Sequence, residues 1–373
     1  MLKILFMIHD LSVGGAEKVL VNLVNNMDKS EFDITVCALF GGGINEQFLK
    51  PHIRFYTVWK KPIPGNSKLM KLMSPEQLHK LCVKEHYDIE ISYLEGSTAR
   101  IISGCSDKET KLISWIHIEQ HTKECVSIAF RSFEEAERCY KKFDRTVCVS
   151  EYVKNDFTSL VKLEKPVDIL YNTNETAMII EQSKELVEDG IFNDNEIKII
   201  GIGKIKKNKG FDRLARIHKS LLADGLPVHT YILGTGQQQN EIQSYIVDNH
   251  LENSFTFLGY HTNPYKYLSK CDLFVCTSFS EGFSTAATEA LILGVPVCTV
   301  EVSGMKEMLG ENNEYGIVTD NTEEALYAGM KKMITAPGVL EQYAAKASER
   351  GKVFSTEKTV KAVEYMLIDI YNN

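Results

Sequence analysis

The stretch that decides the fold runs from Glu281 to Pro296 and reads EGFSTAATEALILGVP. Small residues open it, and a short apolar helix follows that is predicted to end at a glycine and a proline. Ser284 or Thr285 can cap this helix, so that free backbone N–H groups lie just after the first glutamate. The preceding residues, Asp272–Ser278 (DLFVCTS), are typical of a buried strand. Together these three features indicate the ligand-binding edge of an open α/β sheet.

Two carboxylates mark this stretch, because Glu289 follows Glu281 by eight residues. The neighbours of Glu289 on the predicted helix are alanines and leucines, and a carboxylate in such a setting needs a partner. The alternative interpretation is that Glu281 is a solvated loop charge and that Glu289 faces water. The strand, loop and helix around them favour a binding site.

Apolar runs that read as strands alternate with helical patterns, first over residues 3–171 and again over residues 198–318. This alternation predicts an α/β protein with two doubly wound parallel sheets. Between the two series, residues 173–194 are acidic and polar, and we interpret them as a linker. The predicted domains are therefore residues 1–172 and residues 195–355. A final helix over residues 356–373 carries an apolar stripe.

Length, charge and cysteine content exclude several classes of protein. A chain of 373 residues is long enough for two separate cores. The formal net charge of −8 argues against general binding of nucleic acid, which requires a basic surface. The nine cysteines show no C-x2-C spacing, which predicts a reducing, cytoplasmic environment. No apolar run approaches the roughly 18 residues of a transmembrane helix, so we expect a soluble or peripheral protein.

Two glycine-containing loops follow predicted strands. The segment from Gly201 to Phe211, GIGKIKKNKGF, contains glycines and four lysines, among them Lys204 and Lys209, and can hold a diphosphate. The alternative is a solvated basic loop. In the amino-terminal half, Gly14 and Gly15 lie between a strand and a helix, where a ligand can approach the helix N-terminus. A simple turn is the alternative there.

The motifs S-E-G-F and E-A-L-x-x-G-V-P-V, with Glu-x7-Glu across them, resemble the donor-site signature of retaining glycosyltransferases of the GT-B fold, family 4 type. The resemblance covers nearly the whole chain and is most specific over residues 198–300. It implies two Rossmann-like domains that face a central cleft, with the last helix crossing back onto the first domain. It also implies that the second domain binds a nucleotide diphosphate sugar, most often a UDP-sugar.

The resemblance assigns roles to individual residues. Lys209 matches a lysine that binds the donor diphosphate, whereas Lys204 stands where arginine is usual and cannot form a bidentate fork. Glu289 is implied to bind the ribose hydroxyls. Glu281 is implied to orient the donor sugar together with the backbone of the three residues that follow it. Those three donor-binding residues are Gly282, Phe283 and Ser284, and Gly14, Gly15 and Tyr260 complete the predicted donor-binding set.

His117 ends a predicted strand in the first domain, in the sequence SWIHIE. A histidine at the carboxyl end of a parallel strand is well placed for a ligand, although a structural histidine is the common alternative. By resemblance, His117 contacts the donor sugar near the reacting carbon. The predicted catalytic residues are thus Glu281, His117 and Lys209. No D-x-D element occurs in a metal-binding context, so no obligatory metal and no cofactor are expected.

Residues 54–84 form a basic and apolar segment in an acidic chain, with seven Lys or Arg against the single acid Glu76. Such a segment can lie on an anionic bilayer at the inner face of the plasma membrane, and an ordinary loop and helix edge is the alternative. The membrane interpretation predicts a lipid-linked glycan acceptor and a role in assembling a bacterial surface polysaccharide. Two competing functions remain at this point, a GT-B nucleotide-sugar epimerase and a non-catalytic partner subunit of a glycosyltransferase complex.

Overall fold

The computed structural model describes residues 1–12, 14–61, 65–188, 190–302 and 304–373, and it contains two parallel sheets. The strands of the first sheet are β1 (Leu2–Ile8), β2 (Phe32–Phe40), β3 (Arg54–Trp59), β4 (Ile89–Ser92), β5 (Lys111–Ile116), β6 (Arg145–Cys148) and β7 (Val167–Ile169). The strands of the second sheet are β8 (Ile197–Ile202), β9 (Val228–Leu233), β10 (Phe255–Gly259), β11 (Leu273–Cys276), β12 (Val297–Val300) and β13 (Ile317–Thr319).

Both sheets have the same doubly wound topology. The strand order is β3-β2-β1-β4-β5-β6-β7 in the first and β10-β9-β8-β11-β12-β13 in the second, and every observed pairing is parallel. The predicted α/β fold with two such sheets is confirmed. The chain order reverses between β1 and β4, and again between β8 and β11. In open α/β sheets the carboxyl ends of strands at such a switch point are where ligands bind.

Helices follow the strands in chain order, and six of those described begin at a serine or threonine whose side chain caps the first turn. The helices up to the second sheet are α1 (Gly15–Asn26), α2 (Asn66–Leu72), α3 (Pro75–Cys82), α4 (Ser97–Ile102), α5 (Lys123–Val126), α6 (Phe133–Tyr140), α7 (Glu151–Leu160) and α8 (Thr176–Gln182). The remaining helices are α9 (Phe211–Ala223), α10 (Gln239–Asp248), α11 (Tyr265–Leu268), α12 (Thr285–Ile292), α13 (Met305–Leu309), α14 (Glu323–Thr335), α15 (Val339–Gly351) and α16 (Thr356–Asn372). Three 3-10 turns occupy Ile44–Phe48, Lys207–Lys209 and Lys352–Phe354.

Contacts divide the chain into two units, Met1–Asn174 with Thr356–Asn373, and Glu175–Ser355. The segment that we predicted as a linker, residues 173–194, is therefore not wholly a connection, because it contains α8 and packs with the second unit from Glu175 onward. The carboxyl-terminal helix α16 packs against α1 in the first unit.

Burial of central strands explains why the apolar runs form parallel sheets. Residues 4–8 of β1 are fully inaccessible to solvent, since helices cover both faces of the sheet around this strand. The second unit shows the same pattern at β8 and β11, whose side chains are mostly buried. Among the described residues, no helix is both long and apolar enough to cross a membrane.

Candidate functional site

Two loops of the second unit are joined at its switch point, one after β8 and one after β11. The backbone N–H of Phe279 donates to the carbonyl oxygen of Asn208 at 2.7 Å, and the Thr277 hydroxyl donates to the carbonyl oxygen of Lys209 at 2.6 Å. Both loops follow neighbouring parallel strands, so their residues meet at one edge of the sheet. In the sequence, Lys209 and Glu281 follow different strands, and the sheet topology brings them together.

Lys209 and Glu281 form an ion pair at this edge. The Lys209 Nζ atom lies 2.5 Å from Glu281 Oε1, and the Ser278 hydroxyl donates to the same oxygen at 2.5 Å. The Lys209 and Glu281 side chains are 22% and 13% exposed, so the pair is mostly buried but still accessible to solvent. An ammonium group has three N–H donors, so two remain for a further acceptor such as a phosphate oxygen. The pair therefore holds each side chain in place and presents a positive group beside a carboxylate.

Glu289 lies on α12 with only 4% of its surface exposed. The Tyr265 hydroxyl donates to its Oε1 at 3.1 Å, which supplies a partner for the buried carboxylate. The prediction that Ser284 can cap α12 is confirmed, because its hydroxyl oxygen accepts the Ala287 N–H at 3.3 Å. One lone pair of the Ser284 hydroxyl oxygen is thus used within the helix.

Phe283 is buried by packing within the second unit. Its ring centroid lies 5.8 Å from that of Phe354, and the side chain is 6% exposed. Of the predicted donor-binding residues between Glu281 and α12, Phe283 therefore serves chiefly the core, and what it can offer a ligand is its backbone. Gly282 has no side chain and is partly exposed, so its backbone is open to a ligand.

Glycine is required where these loops approach other backbone segments. Gly210 has φ +65°, and a Cβ atom there would lie 2.2 Å from the carbonyl oxygen of Thr277. At Gly234, with φ +144°, a Cβ atom would lie 2.0 Å from the carbonyl oxygen of Gly203. Both contacts are to backbone and cannot be relieved by a side-chain rotation. Glycine at these two positions thus permits the close packing of the strand-end loops.

Arg213 holds the β11 loop in place, and sequence reasoning missed it. Its Nε donates to the carbonyl oxygen of Thr277 at 2.8 Å and its Nη2 to that of Ser278 at 3.0 Å, while its guanidinium lies 4.2 Å from the ring centre of Phe279. Arg213 is 2% exposed, and this burial lowers the pKa of its guanidinium. The signal was available, since an arginine directly precedes the buried Leu214 on an apolar face of α9, where a charge needs partners.

Lys204 and Tyr260 follow β8 and β10, the carboxyl ends of strands in the same sheet. Lys204 is exposed, and Tyr260 is 57% exposed. Both are thus accessible at the edge that carries the Lys209–Glu281 pair.

His117 follows β5 in the first unit and is kept neutral by burial. Desolvation lowers its pKa to about 3, although a hydrogen bond to the Tyr93 backbone opposes this shift. Within the described part of the chain, its Nε2 atom has no hydrogen-bond partner and is inaccessible to solvent. Its backbone N–H donates to Glu95 at 3.0 Å. The neutral ring thus has one unused polar atom, which a ligand hydroxyl can reach only after the surrounding side chains move.

This burial predicts a pH dependence of stability. The unfolded state binds a proton on His117 near pH 6.5, whereas the folded state does so only near pH 3, so stability falls as the pH falls through this window. His117→Gln should remove this contribution and lessen the loss of unfolding free energy between pH 6.5 and pH 5 by about 2 kcal/mol. Urea titrations followed by tryptophan fluorescence measure it, since both tryptophans, Trp59 and Trp115, lie in the first unit.

The exposed His52 provides the control, because His52→Gln should leave the same pH dependence unchanged. Glu95, whose carboxyl pKa is raised by burial, is present in every variant and so cancels from the comparison. Equal pH dependence in wild type and His117→Gln would contradict the neutral buried imidazole.

Gly14 and Gly15 begin α1, with Gly14 as the cap residue. A Cβ atom at Gly14 would lie 2.0 Å from the Glu17 carboxylate, so this acidic side chain folds over the helix N-terminus. A phosphate at this helix end would meet a like charge. If the donor binds at Gly14 and Gly15 with a phosphate at this helix end, Glu17 must therefore move.

Comparison with known proteins connects this geometry to a family. The family model for Glycosyltransferase Family 4 matches residues 13–176, and that for Glycosyl transferases group 1 matches residues 182–352. The chain belongs to the family 4 type of GT-B glycosyltransferases. The two matches cover both sheets except for β1, and they place the Lys209–Glu281 pair within the group 1 region. Glycosyltransferase activity follows from this membership.

Individual relatives agree with this family. The chain is 26% identical over 382 aligned positions to the N-acetylgalactosamine-N,N'-diacetylbacillosaminyl-diphospho-undecaprenol 4-alpha-N-acetylgalactosaminyltransferase of Campylobacter jejuni, covering 98% of this chain and 100% of the relative. It is 20% identical to the amylovoran biosynthesis glycosyltransferase AmsD of Erwinia amylovora, covering 97% of this chain and 98% of the relative. The crystal structure of Anabaena HepE in complex with UDP has a TM-score of 0.78 at 18% identity, with 98% and 100% coverage, which supports the fold.

Proposed function

We propose that this glycosyltransferase moves a sugar from a nucleotide diphosphate sugar, in particular a UDP-sugar, to a glycan acceptor with retention of the anomeric configuration. The observation that carries the proposal is the Lys209–Glu281 pair at the switch point of the second sheet. A departing diphosphate needs positive charge, and the reacting sugar needs an oriented polar partner. The pair supplies both within one hydrogen-bonded unit.

Each predicted residue has a task in this mechanism. Lys209 directs its remaining N–H donors at the diphosphate, and the exposed Lys204 adds a second positive charge without a bidentate fork. Glu289 accepts hydrogen bonds from ribose hydroxyls, and Glu281 orients the donor sugar together with the backbone of Gly282. His117 offers its unused Nε2 to a sugar hydroxyl.

The proposed step is a front-face displacement. The bond between the anomeric carbon and the leaving phosphate oxygen breaks as the acceptor oxygen bonds to the same face, and the leaving phosphate takes the acceptor's proton. Lysine side chains supply the charge stabilisation, so we propose that no metal ion and no cofactor is obligatory. Assaying the transfer with and without a chelator, and determining the anomeric configuration of the product by NMR, tests both points.

Relatives support the choice of donor and acceptor. HepE of Anabaena has been solved in complex with UDP and with UDP-glucose. The name of the Campylobacter jejuni relative describes transfer of N-acetylgalactosamine to a diphospho-undecaprenol-linked sugar, and AmsD acts in amylovoran biosynthesis. On this basis we propose a lipid-linked glycan acceptor, assembly of a bacterial surface polysaccharide, and a cytoplasmic location at the inner face of the plasma membrane.

Ligand-induced thermal stabilisation tests the donor site. UDP, GDP, ADP and their common sugars are compared on the wild type and on Glu289→Ala, with the exposed Glu324→Ala as the matched control. A nucleotide at 100 times its Kd adds about 2.7 kcal/mol, which raises the Tm of a unit of this size by roughly 5–10 °C. We expect UDP and its sugars to produce this rise in the wild type and the control, and Glu289→Ala to lose it.

The competing functions give different results in the same assay series. A nucleotide-sugar epimerase would convert the donor sugar without any acceptor, which NMR of the donor alone detects. A non-catalytic partner subunit would show no shift with any nucleotide. Either outcome would contradict the proposed transfer reaction.

The basic segment has a structure that fits contact with a membrane. On α2, Leu69 and Leu72 are 66% and 77% exposed, and Lys68, which precedes Leu69, is exposed too. Two arginines anchor the end of this helix, since Arg100 donates to the carbonyl oxygens of Met70 and Met73 and Arg131 to those of Lys71 and Leu72. An exposed helix with apolar and basic side chains, whose end is held by these hydrogen bonds, can insert its leucines into an anionic bilayer.

Reversing the charge of this segment should abolish binding to liposomes that contain anionic lipids. The variant carries Lys60→Glu, Lys61→Glu, Lys68→Glu and Lys71→Glu. Each lysine near the surface contributes about 1 kcal/mol, so the four together account for most of the binding free energy. Sedimentation with the liposomes measures the bound fraction.

A matched control reverses the same number of exposed lysines elsewhere on the first unit. Its substitutions are Lys29→Glu, Lys162→Glu, Lys165→Glu and Lys361→Glu. This control should sediment almost like the wild type. Equal sedimentation of the two variants would show that net charge, rather than residues 54–84, governs binding.

A further inference from the structure

Three side chains with the chemistry of metal ligands converge in the first unit. They come from three elements: His79 from α3, Glu90 from β4 and Cys105 from the turn after α4. The helices α3 and α4 pack against each other beside the sheet. Glu90 is near the start of β4, whereas His117 lies beyond the carboxyl end of the neighbouring β5. The cluster is thus separate from the ligand-binding edge of this sheet.

The donor atoms of this cluster are close enough to share one ion. His79 Nε2 lies 2.7 Å from Glu90 Oε2, Cys105 Sγ lies 4.0 Å from Glu90 Oε1, and all three donor atoms lie within 4.8 Å of one another. In a tetrahedral zinc site, ligand atoms at bond lengths of 2.0–2.3 Å are separated by roughly 3.3–3.7 Å. Shifts of less than about 1 Å would bring the cluster to that geometry.

The burial of Glu90 and the thiol beside it give this cluster the character of a cation site. Glu90 is 2% exposed, so its carboxylate is almost completely desolvated. One oxygen is satisfied by His79, but the other contacts a thiol, which is a weak hydrogen-bond donor. A protonated imidazole balances the charge of one carboxylate, so the His79–Glu90 ion pair is the metal-free state with which a cation would compete. A divalent cation would balance one carboxylate and one thiolate, with the histidine neutral.

We propose that His79, Glu90 and Cys105 form a binding site for a zinc-type divalent cation that ties α3 and the α4–β5 turn to strand β4. A histidine, a carboxylate and a thiolate are the three ligand types that zinc accepts, and the partial exposure of Cys105 provides access. Three protein ligands leave one position for water. The role is structural, and it stands independently of the proposed transfer reaction.

The experiment uses the full chain loaded with Zn²⁺, desalted, and analysed for retained metal. Cys105→Ser tests the site, because it removes the thiolate with almost no change in volume. Cys125→Ser is the matched control, since Cys125 is an exposed cysteine in the same unit. Loading with Co²⁺ adds a spectroscopic signature, the thiolate-to-cobalt charge-transfer band. Circular dichroism establishes that each variant is folded.

We expect the wild type and Cys125→Ser to retain about one equivalent of zinc and to show the cobalt band. Cys105→Ser should lose the band and bind zinc at least roughly ten-fold more weakly. Wild type without retained zinc, or Cys105→Ser that retains it equally, would overturn the proposal.

A second cluster, Glu119, His121 and Asp156, is an alternative site at which zinc could bind. The Asp156 carboxylate already accepts the backbone N–H groups of Gln120 and His121, so it is less available to a cation. Zinc that is lost from His121→Ala but kept by Cys105→Ser would place the ion there and would contradict the site at Cys105.

Discussion

Glu281→Gln is expected to slow sugar transfer by roughly 10²- to 10³-fold. The amide has the size of the carboxylate, so the loop after β11 should keep its shape. What is lost is the negative charge that holds Lys209 Nζ at 2.5 Å and that would orient the donor sugar. Steady-state kinetics of nucleotide release, with donor and acceptor both varied, measure the effect on kcat and on kcat/KM.

A double-mutant cycle with Lys209→Met makes this prediction specific. Residues that act as one unit give non-additive effects, so the double variant should be little slower than the slower single variant. Glu324→Gln, an exposed glutamate of the same unit, is the control and should be as active as the wild type. Fully additive effects of Glu281→Gln and Lys209→Met would show that the two residues contribute independently to the rate of transfer.

Arg213→Ala is expected to destabilise the second unit by about 3 kcal/mol. The substitution leaves the carbonyl oxygens of Thr277 and Ser278 buried without their charged donor, and each unsatisfied group costs about 1–3 kcal/mol. The Tm of the unit should fall by roughly 6–12 °C. Calorimetry measures this loss, and the same variant should bind UDP more weakly, because the β11 loop that carries Glu281 is no longer held.

Arg216 on the same helix is the matched control. It forms ion pairs with Asp212 and Glu323 but is 41% exposed, so Arg216→Ala should cost at most about 1 kcal/mol. Arg213→Lys separates positioning from stability, because the lysine retains the charge but cannot donate to both carbonyl oxygens in the same way. We expect Arg213→Lys to recover part of the stability and little of the UDP affinity. Full recovery of both would contradict a positioning role.

Sequence patterns were sufficient to predict the fold because the signals for it are local. Buried strands such as β1 read as unbroken apolar runs, and the alternation with helical patterns fixes a parallel, doubly wound arrangement. The cap of α12 at Ser284 was also readable, since the hydrogen bond from Ala287 joins residues three apart. Composition gave the boundary between the two units only approximately, because a polar segment can still fold into a helix such as α8.

The sequence by itself determined the pair of sheets and the candidate donor-binding residues, among them Lys209, Glu281 and Glu289. Only the tertiary structure determined which side chains contact one another and which hydrogen bonds they form. It joined Lys209 to Glu281 across 72 positions, placed Arg213 beneath the loop, and left Nε2 of His117 without a partner among the described residues. The physical reason is that strand order at the switch point sets which distant loops meet, and burial then sets the hydrogen bonding and the pKa of each group. Neither the strand order nor the burial of a group can be read from any single stretch of the chain.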